Sequence, residues 1–212
     1  MSYQNKGIMS TTKEWTDEYG VSYEQSEEGI TLVGISKESP LRRIEFRTHN
    51  YEIPTGVTKI GDSAFNGCVN LTCVVIPNTV IKIGESAFKG CIRLLTNVQE
   101  KDIPDSYKGN EHAEWVLLST LFIPDSVTEI GDWAFSECKS LIHVKIPQSV
   151  TKIGKGVFNC CKNLQMVRIP NSVIEIGDNA FSGCISLKSV TLPKSTKIES
   201  YAFDKGVKKI KV

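Results

Sequence analysis

Long apolar runs are missing from this chain. No stretch approaches the roughly 18 residues that a membrane-spanning helix needs, so no such span is expected. Histidine is scarce, at three residues (His49, His112 and His143), and none stands beside a nucleophile in a recognisable motif. There is no H-E-x-x-H, no G-x-S-x-G and no phosphate-cradling glycine loop, which removes the usual sequence signs of metalloprotease, serine hydrolase or nucleotide chemistry. Seven cysteines are present but no C-x-x-C pair, so the clustered ligands of a zinc site are lacking. No enzyme, metal or cofactor is expected. Residues 1–10 contain no apolar core of the kind that marks a secretory leader.

An excess of one charge is also missing. The net charge is +1, from 25 Lys/Arg and 24 Asp/Glu, which argues against a nucleic-acid or membrane-surface binder. Apolar residues at 40% and charged ones at 23% fit a folded chain rather than a disordered one. The balance is not local, however. Residues 1–137 hold 12 basic and 20 acidic residues (−8), and residues 138–212 hold 13 and 4 (+9), which sum to +1.

What is abundant is self-similarity. Pro54, Pro77, Pro124, Pro147, Pro170 and Pro193 are spaced by 23, 47, 23, 23 and 23 residues. The 47 reads as two periods plus one residue, or as one period with a 24-residue insertion. In register the unit is P-x-x-V-x-x-I-G-x-x-A-F-x-x-C-x-x-L-x-x-V-x-I, well illustrated by residues 147–169. A fixed period of this length marks a stacked repeat architecture.

Each column has a physical reading. Ile60, Ile83, Ile130, Ile153 and Ile176 are each followed by glycine, which suggests a positive φ or a tight backbone approach. Phe65 and Cys68, three apart, share one face of a short helical turn. The segment L-x-x-V-x-I, as in Leu141, Val144 and Ile146, alternates like a half-buried strand and is ended by proline. One unit cannot bury these positions alone, but stacked units align them into continuous columns. The strands then form a parallel sheet at about 4.8 Å per coil.

The pattern C-x-x-L-x-x-V-x-I-P-x-x-V-x-x-I-G-x-x-A-F closely resembles the BspA-like (Treponema pallidum type) leucine-rich repeats, over about residues 48–212. The resemblance implies a leucine-rich repeat solenoid. It would carry a parallel sheet on its concave side and short helical turns or irregular structure on its convex side. It also implies a cell-surface or secreted protein used in adhesion and protein binding. The absent leader leaves a cytoplasmic alternative.

Three regions depart from the period. Residues 14–53 are expected to form a β-rich N-terminal cap, with strands at 29–35 and 41–46, and residues 1–13 a poorly ordered tail. The solenoid then spans 54–212, with an insertion at about 95–117 that contains Tyr107 and Trp115 as candidate contacts. In the last unit Phe203 to Val207 spans four positions where Phe181 to Leu187 spans six, yet residues 207–212 should still form the last strand. The final edge would need a continuing array or a partner to cover it.

The remaining chemistry is of surfaces. Cys68, Cys91, Cys138, Cys161 and Cys184 share one repeat position and read as small buried residues. Ser126 and Ser149 recur where turn formation explains them, and Asn70-Leu-Thr is a formal glycosylation sequon. The two variable positions around the strand valine should face outward on the concave side. They place Phe122, His143, Lys145, Met166, Arg168, Lys209 and Lys211 on one surface. Aromatic, Met and Arg residues are enriched at binding hot spots. The expected function is non-catalytic macromolecule binding, with a protein as the partner and neither nucleic acid nor membrane insertion. A structural segment of a larger surface protein and a carbohydrate-binding module are the alternatives.

Overall fold

The structure is a computed structural model that describes residues 12–42, 49–94 and 120–212. It is a solenoid in which each coil contributes two strands. The first set is short and begins from a hairpin. β1 (Lys13–Thr16), β2 (Val21–Ser26) and β3 (Gly29–Ile35) pair antiparallel. β3 then pairs in parallel with β5 (Val57–Ile60), which leads on to β7 (Lys82–Ile83) and β9 (Glu129–Ile130). The same repeat position forms a three-stranded ladder of β11 (Lys152–Ile153), β13 (Glu175–Ile176) and β15 (Lys197–Ile198).

The second set comes from L-x-x-V-x-I. β4 (His49–Glu52) pairs with β6 (Leu71–Val75). β8 (Thr120–Phe122), β10 (His143–Lys145), β12 (Met166–Arg168), β14 (Ser189–Leu192) and β16 (Lys208–Lys211) form a five-stranded parallel sheet in that order. This is the concave sheet. The predicted strand at 29–35 is β3. Residues 43–48, most of the strand expected at 41–46, lie outside the described residues, as do 1–11 and 95–119.

The third side of each coil carries no helix among the described residues. The Ala-Phe segment is a chain of turns whose amides bond to the next coil. Phe65 N donates to the Ala87 carbonyl at 2.7 Å, Phe88 N to Ala134 at 2.7 Å and Phe135 N to Val157 at 2.9 Å. A helix would spend these donors within itself. The residue before each Ala-Phe pair has a left-handed backbone instead, as at Ser63 (φ 56), Ser86 (φ 53) and Trp133 (φ 60). Phe and Cys therefore share a face through turns of alternating hand rather than a helical turn.

The glycine column answers the other way. Gly84 and Gly131 are not among the positive-φ residues. A Cβ on Gly131 would lie 2.5 Å from the Glu85 nitrogen, and one on Gly84 2.7 Å from the Asp62 nitrogen. Close approach of neighbouring coils is what requires glycine there.

The core is built of ladders. Phe65, Phe88, Phe135, Phe158, Phe181 and Phe203 stack near-parallel, with centroids 4.9 to 5.6 Å apart. The cysteine column is buried and does more than fill space. The thiols of Cys91, Cys138, Cys161 and Cys184 donate to the carbonyls of Phe65, Phe88, Phe135 and Phe158 in the preceding coil, at 3.1 to 3.2 Å. The serine column is not merely turn-forming either. Ser126, Ser149 and Ser172 hydroxyls donate back to Val80, Val127 and Val150 carbonyls. The thiols thus add a second donor to phenylalanine carbonyls that already accept the amides of Cys68, Cys91, Cys138 and Cys161, and the serine hydroxyls supply donors to valine carbonyls of the preceding coil.

The stack also resolves the 47-residue spacing. The Phe88 and Phe135 rings lie 5.2 Å apart, and Gly131 N donates to the Ile83 carbonyl at 2.8 Å. The coils on either side of residues 95–119 are immediate neighbours.

At the N-terminal end the cap closes the ladder with polar aromatics. The Asp17 carboxylate accepts from the amides of Tyr19 and Val21 at 2.9 Å and from the Tyr51 hydroxyl at 2.5 Å. The Tyr23 hydroxyl bonds both Asp17 and Tyr51. Burial and the Asp17 charge push both tyrosine hydroxyls well above their ordinary pKa, burial being the larger cause.

Candidate functional site

The concave sheet aligns two outward rows. In one, His143 pairs with Met166 and both follow Thr120. In the other, Phe122, Lys145, Arg168 and Thr191 are successive partners. The valines between them, Val144 and Val167, point inward and are buried. Strict alternation on a strand sends neighbouring side chains to opposite faces. Lys145, Met166 and Arg168 are exposed, Met166 by 49%, while Phe122 and His143 are half-buried. Burial lowers the His143 pKa below its ordinary value, which favours the neutral ring.

Lys145 and Arg168 stand directly opposite one another on adjacent strands. Like charges in that relation repel, and neither forms an ion pair among the described residues. Elsewhere the same molecule alternates signs across coils, as with Lys82–Glu129 at 2.5 Å and Lys152–Glu175 at 2.8 Å on the short-strand side. Around the Lys145–Arg168 pair the surface forms a shallow depression bordered by Gln148, Met166, Asn171 and Thr191.

Two predicted residues sit elsewhere. β16 pairs Ser189 with Lys208, Val190 with Lys209 and Leu192 with Lys211. Lys209 and Lys211 therefore occupy the rows of the inward Val190 and Leu192, not the concave rows. The ammonium of Lys209 lies 5.6 Å from the centroid of Phe203 and covers the end of the phenylalanine stack. The cause is the shortened last unit. A register slip of one residue moves every side chain to the other face, so Lys208 and Ile210 take the concave places. Cys73, in the same row as Asn50, is 6% exposed and contributes no surface. Tyr107 and Trp115 lie outside the described residues.

Two further features bear on function. Asn70 of the sequon is fully buried, and its amide reaches the Pro40 carbonyl, so a glycan cannot be attached in the folded chain. On the convex side Trp133 lies against Gly156, with the Lys89 and Lys155 ammonium groups 6.0 and 5.9 Å from its ring. The repeat gave a signal for it, because Trp133 replaces the Ser63 and Ser86 of earlier coils. The thiols of Cys68 and Cys184 are pushed up to about 11 and about 12, chiefly by burial, so they remain protonated and unreactive at neutral pH.

Comparison with known proteins agrees with this architecture. The Treponema pallidum leucine rich repeat protein has 27% identity, covering 84% of this chain and 85% of that one, with a TM-score of 0.56. A leucine-rich repeat protein from Bacteroides ovatus has 27% identity over 94% of this chain and 50% of its own, with a TM-score of 0.54. A leucine rich cell surface protein from Faecalibacterium prausnitzii shares the fold at 24% identity, covering 93% and 39%, with a TM-score of 0.52. The chain spans half or less of the length of these last two. No curated protein matches the sequence. Residues 45–110 and 109–211 match the model of the BspA type leucine rich repeat region, in six copies. By repeat, coil and match, the chain belongs to the BspA-type leucine-rich repeat family.

Proposed function

We propose that this solenoid is a non-catalytic binding scaffold whose concave sheet holds a protein partner at the cell surface. The observation that carries the reading is the Lys145–Arg168 pair. Two uncompensated cations face each other beside the exposed Met166 and the half-buried Phe122. Holding such a pair together costs stability, and a binding partner is what offsets it. The sheet beneath is hydrogen-bonded strand to strand, which fixes the backbone before association.

The test is a comparison of two charge-reversal variants. Lys145→Glu with Arg168→Glu changes the concave face. Lys139→Glu with Lys162→Glu makes the same charge change at exposed sites outside the concave rows. A partner retained from cell extract by the wild type should be lost by the first variant and kept by the second. Retention should also weaken as salt rises from about 0.05 to 0.5 M, where the screening length falls below about 5 Å. Equal behaviour of the two variants would reject the concave face as the site.

A further inference from the structure

We infer that the C-terminal half of the concave face binds an extended acidic peptide segment, one that carries neighbouring carboxylates and an apolar side chain. This rests on the concave-face reading above and names its partner chemistry. Three kinds of group converge there, and each recognises a different part of such a segment.

The first is the cation pair. Lys145 and Arg168 lie on adjacent coils about 4.8 Å apart along the sheet. Arginine presents a fork suited to carboxylate and lysine a point charge. The register slip of β16 adds Lys208 to the row that holds Met166 and Ser189. The basic surface thus continues toward the C-terminal edge.

The second is the amide rim. Gln148 and Asn171 border the depression one period apart, each following the proline that ends its strand. A carboxamide both donates and accepts. That is what a peptide backbone, with its own N–H and C=O groups, requires. The sulfate groups of a polysaccharide accept only, so against them each carboxamide would use its N–H donors and leave its oxygen idle.

The third is apolar. Met166 is 49% exposed in the row that holds His143, and Ile210, brought by the slip into the neighbouring row beside Thr191, is 41% exposed. Methionine adapts its shape to varied apolar groups. Purely ionic recognition of a polyanion leaves these side chains unused. Cations, amides and apolar groups together fit a peptide of Asp or Glu interleaved with apolar residues.

The experiment uses three probes of defined chemistry against the isotope-labelled full chain: a glutamate–tyrosine random copolymer, poly-L-glutamate and heparin. The copolymer should shift the backbone signals of residues 143–145 and 166–168. It should bind more tightly than poly-L-glutamate of equal length. Lys145→Glu with Arg168→Glu should weaken it about tenfold or more, and the Lys139→Glu, Lys162→Glu control much less. Met166→Ser should weaken the copolymer several-fold and leave heparin unchanged. If heparin binds these residues and the copolymer does not, the peptide assignment is overturned while the concave face survives as a site. If the copolymer prefers other residues, or no probe shifts these signals, the peptide assignment is overturned. A partner retained through Lys145 and Arg168 in the extract comparison would then still stand on its own.

Discussion

The first and the last coils of this chain are finished differently. At the N-terminal end an antiparallel hairpin covers the first coil, and Asp17 gathers two amides and two tyrosine hydroxyls above the phenylalanine stack. At the other end the last coil has lost residues, its strand has slipped by one position and a single lysine lies over the final ring. The first end adds structure outside the repeat. The second changes the repeat itself and moves which side chains face outward. The number of residues between the phenylalanine and leucine columns therefore decides the composition of the concave surface.

The largest expected effect separates the middle of the stack from its end. Phe135 is fully buried between two rings, whereas Phe203 has a ring on one side and Lys209 on the other. Phe135→Ala should cost about 3–5 kcal/mol in urea unfolding, because neighbouring coils cannot fill the cavity. Phe203→Ala should cost clearly less. Equal losses would contradict the difference between the interior and the end.

Next comes the cap. Asp17→Ala removes the shared acceptor of four donors and should cost about 1–3 kcal/mol, since hydrogen bonds to a charged group are among the stronger ones and this carboxylate is half-buried. Thermal melts of Asp17→Ala and wild type that coincide would show that the hairpin, not the carboxylate, closes this end.

A smaller effect belongs to high pH. Folding holds the Cys68 and Cys184 thiols protonated up to about 11 and about 12. The unfolded chain releases these protons near the ordinary thiol value of 9, so stability should be intact below pH 9 and fall as pH rises above it. Urea midpoints measured from pH 8 to 11 should decline less steeply in Cys184→Ala than in wild type.

At the slipped end, Lys209→Glu should cost about 1 kcal/mol by replacing a cation over the Phe203 ring with an anion. Lys208→Glu, one residue away on the concave side, should leave the midpoint nearly unchanged. The reverse ranking would restore the register expected from the sequence. The smallest effect is expected for deletion of residues 95–117 with Leu94 joined to Leu118. Circular dichroism should show a folded solenoid with little change in melting temperature, because the flanking coils already touch.

The period made the columns legible, and with them the stacked ladders and the parallel sheet, but it left the 47-residue spacing open between a further coil and an insertion. Where spacing admits two geometries, it does not choose between them. Phe65 and Cys68 share a face in a helical turn and equally in turns of alternating hand, and only the inter-coil bonds of the Phe amides distinguish them. Lys209 and Lys211 leave the concave rows because the last unit carries a deletion whose effect on register cannot be counted from residues alone. Asp17 lies outside the repeat, and nothing adjacent in sequence points to the tyrosines it binds.

The thiol and hydroxyl columns share a direction with a consequence for biosynthesis. Each of the column thiols and serine hydroxyls described donates to a carbonyl of the coil made before it, never to one made after. A nascent chain leaving the ribosome thus finds these acceptors for each new coil already in place, and the hairpin that pairs with the first coil emerges before it. The solenoid is suited to vectorial growth, coil upon coil, without waiting for its C-terminus.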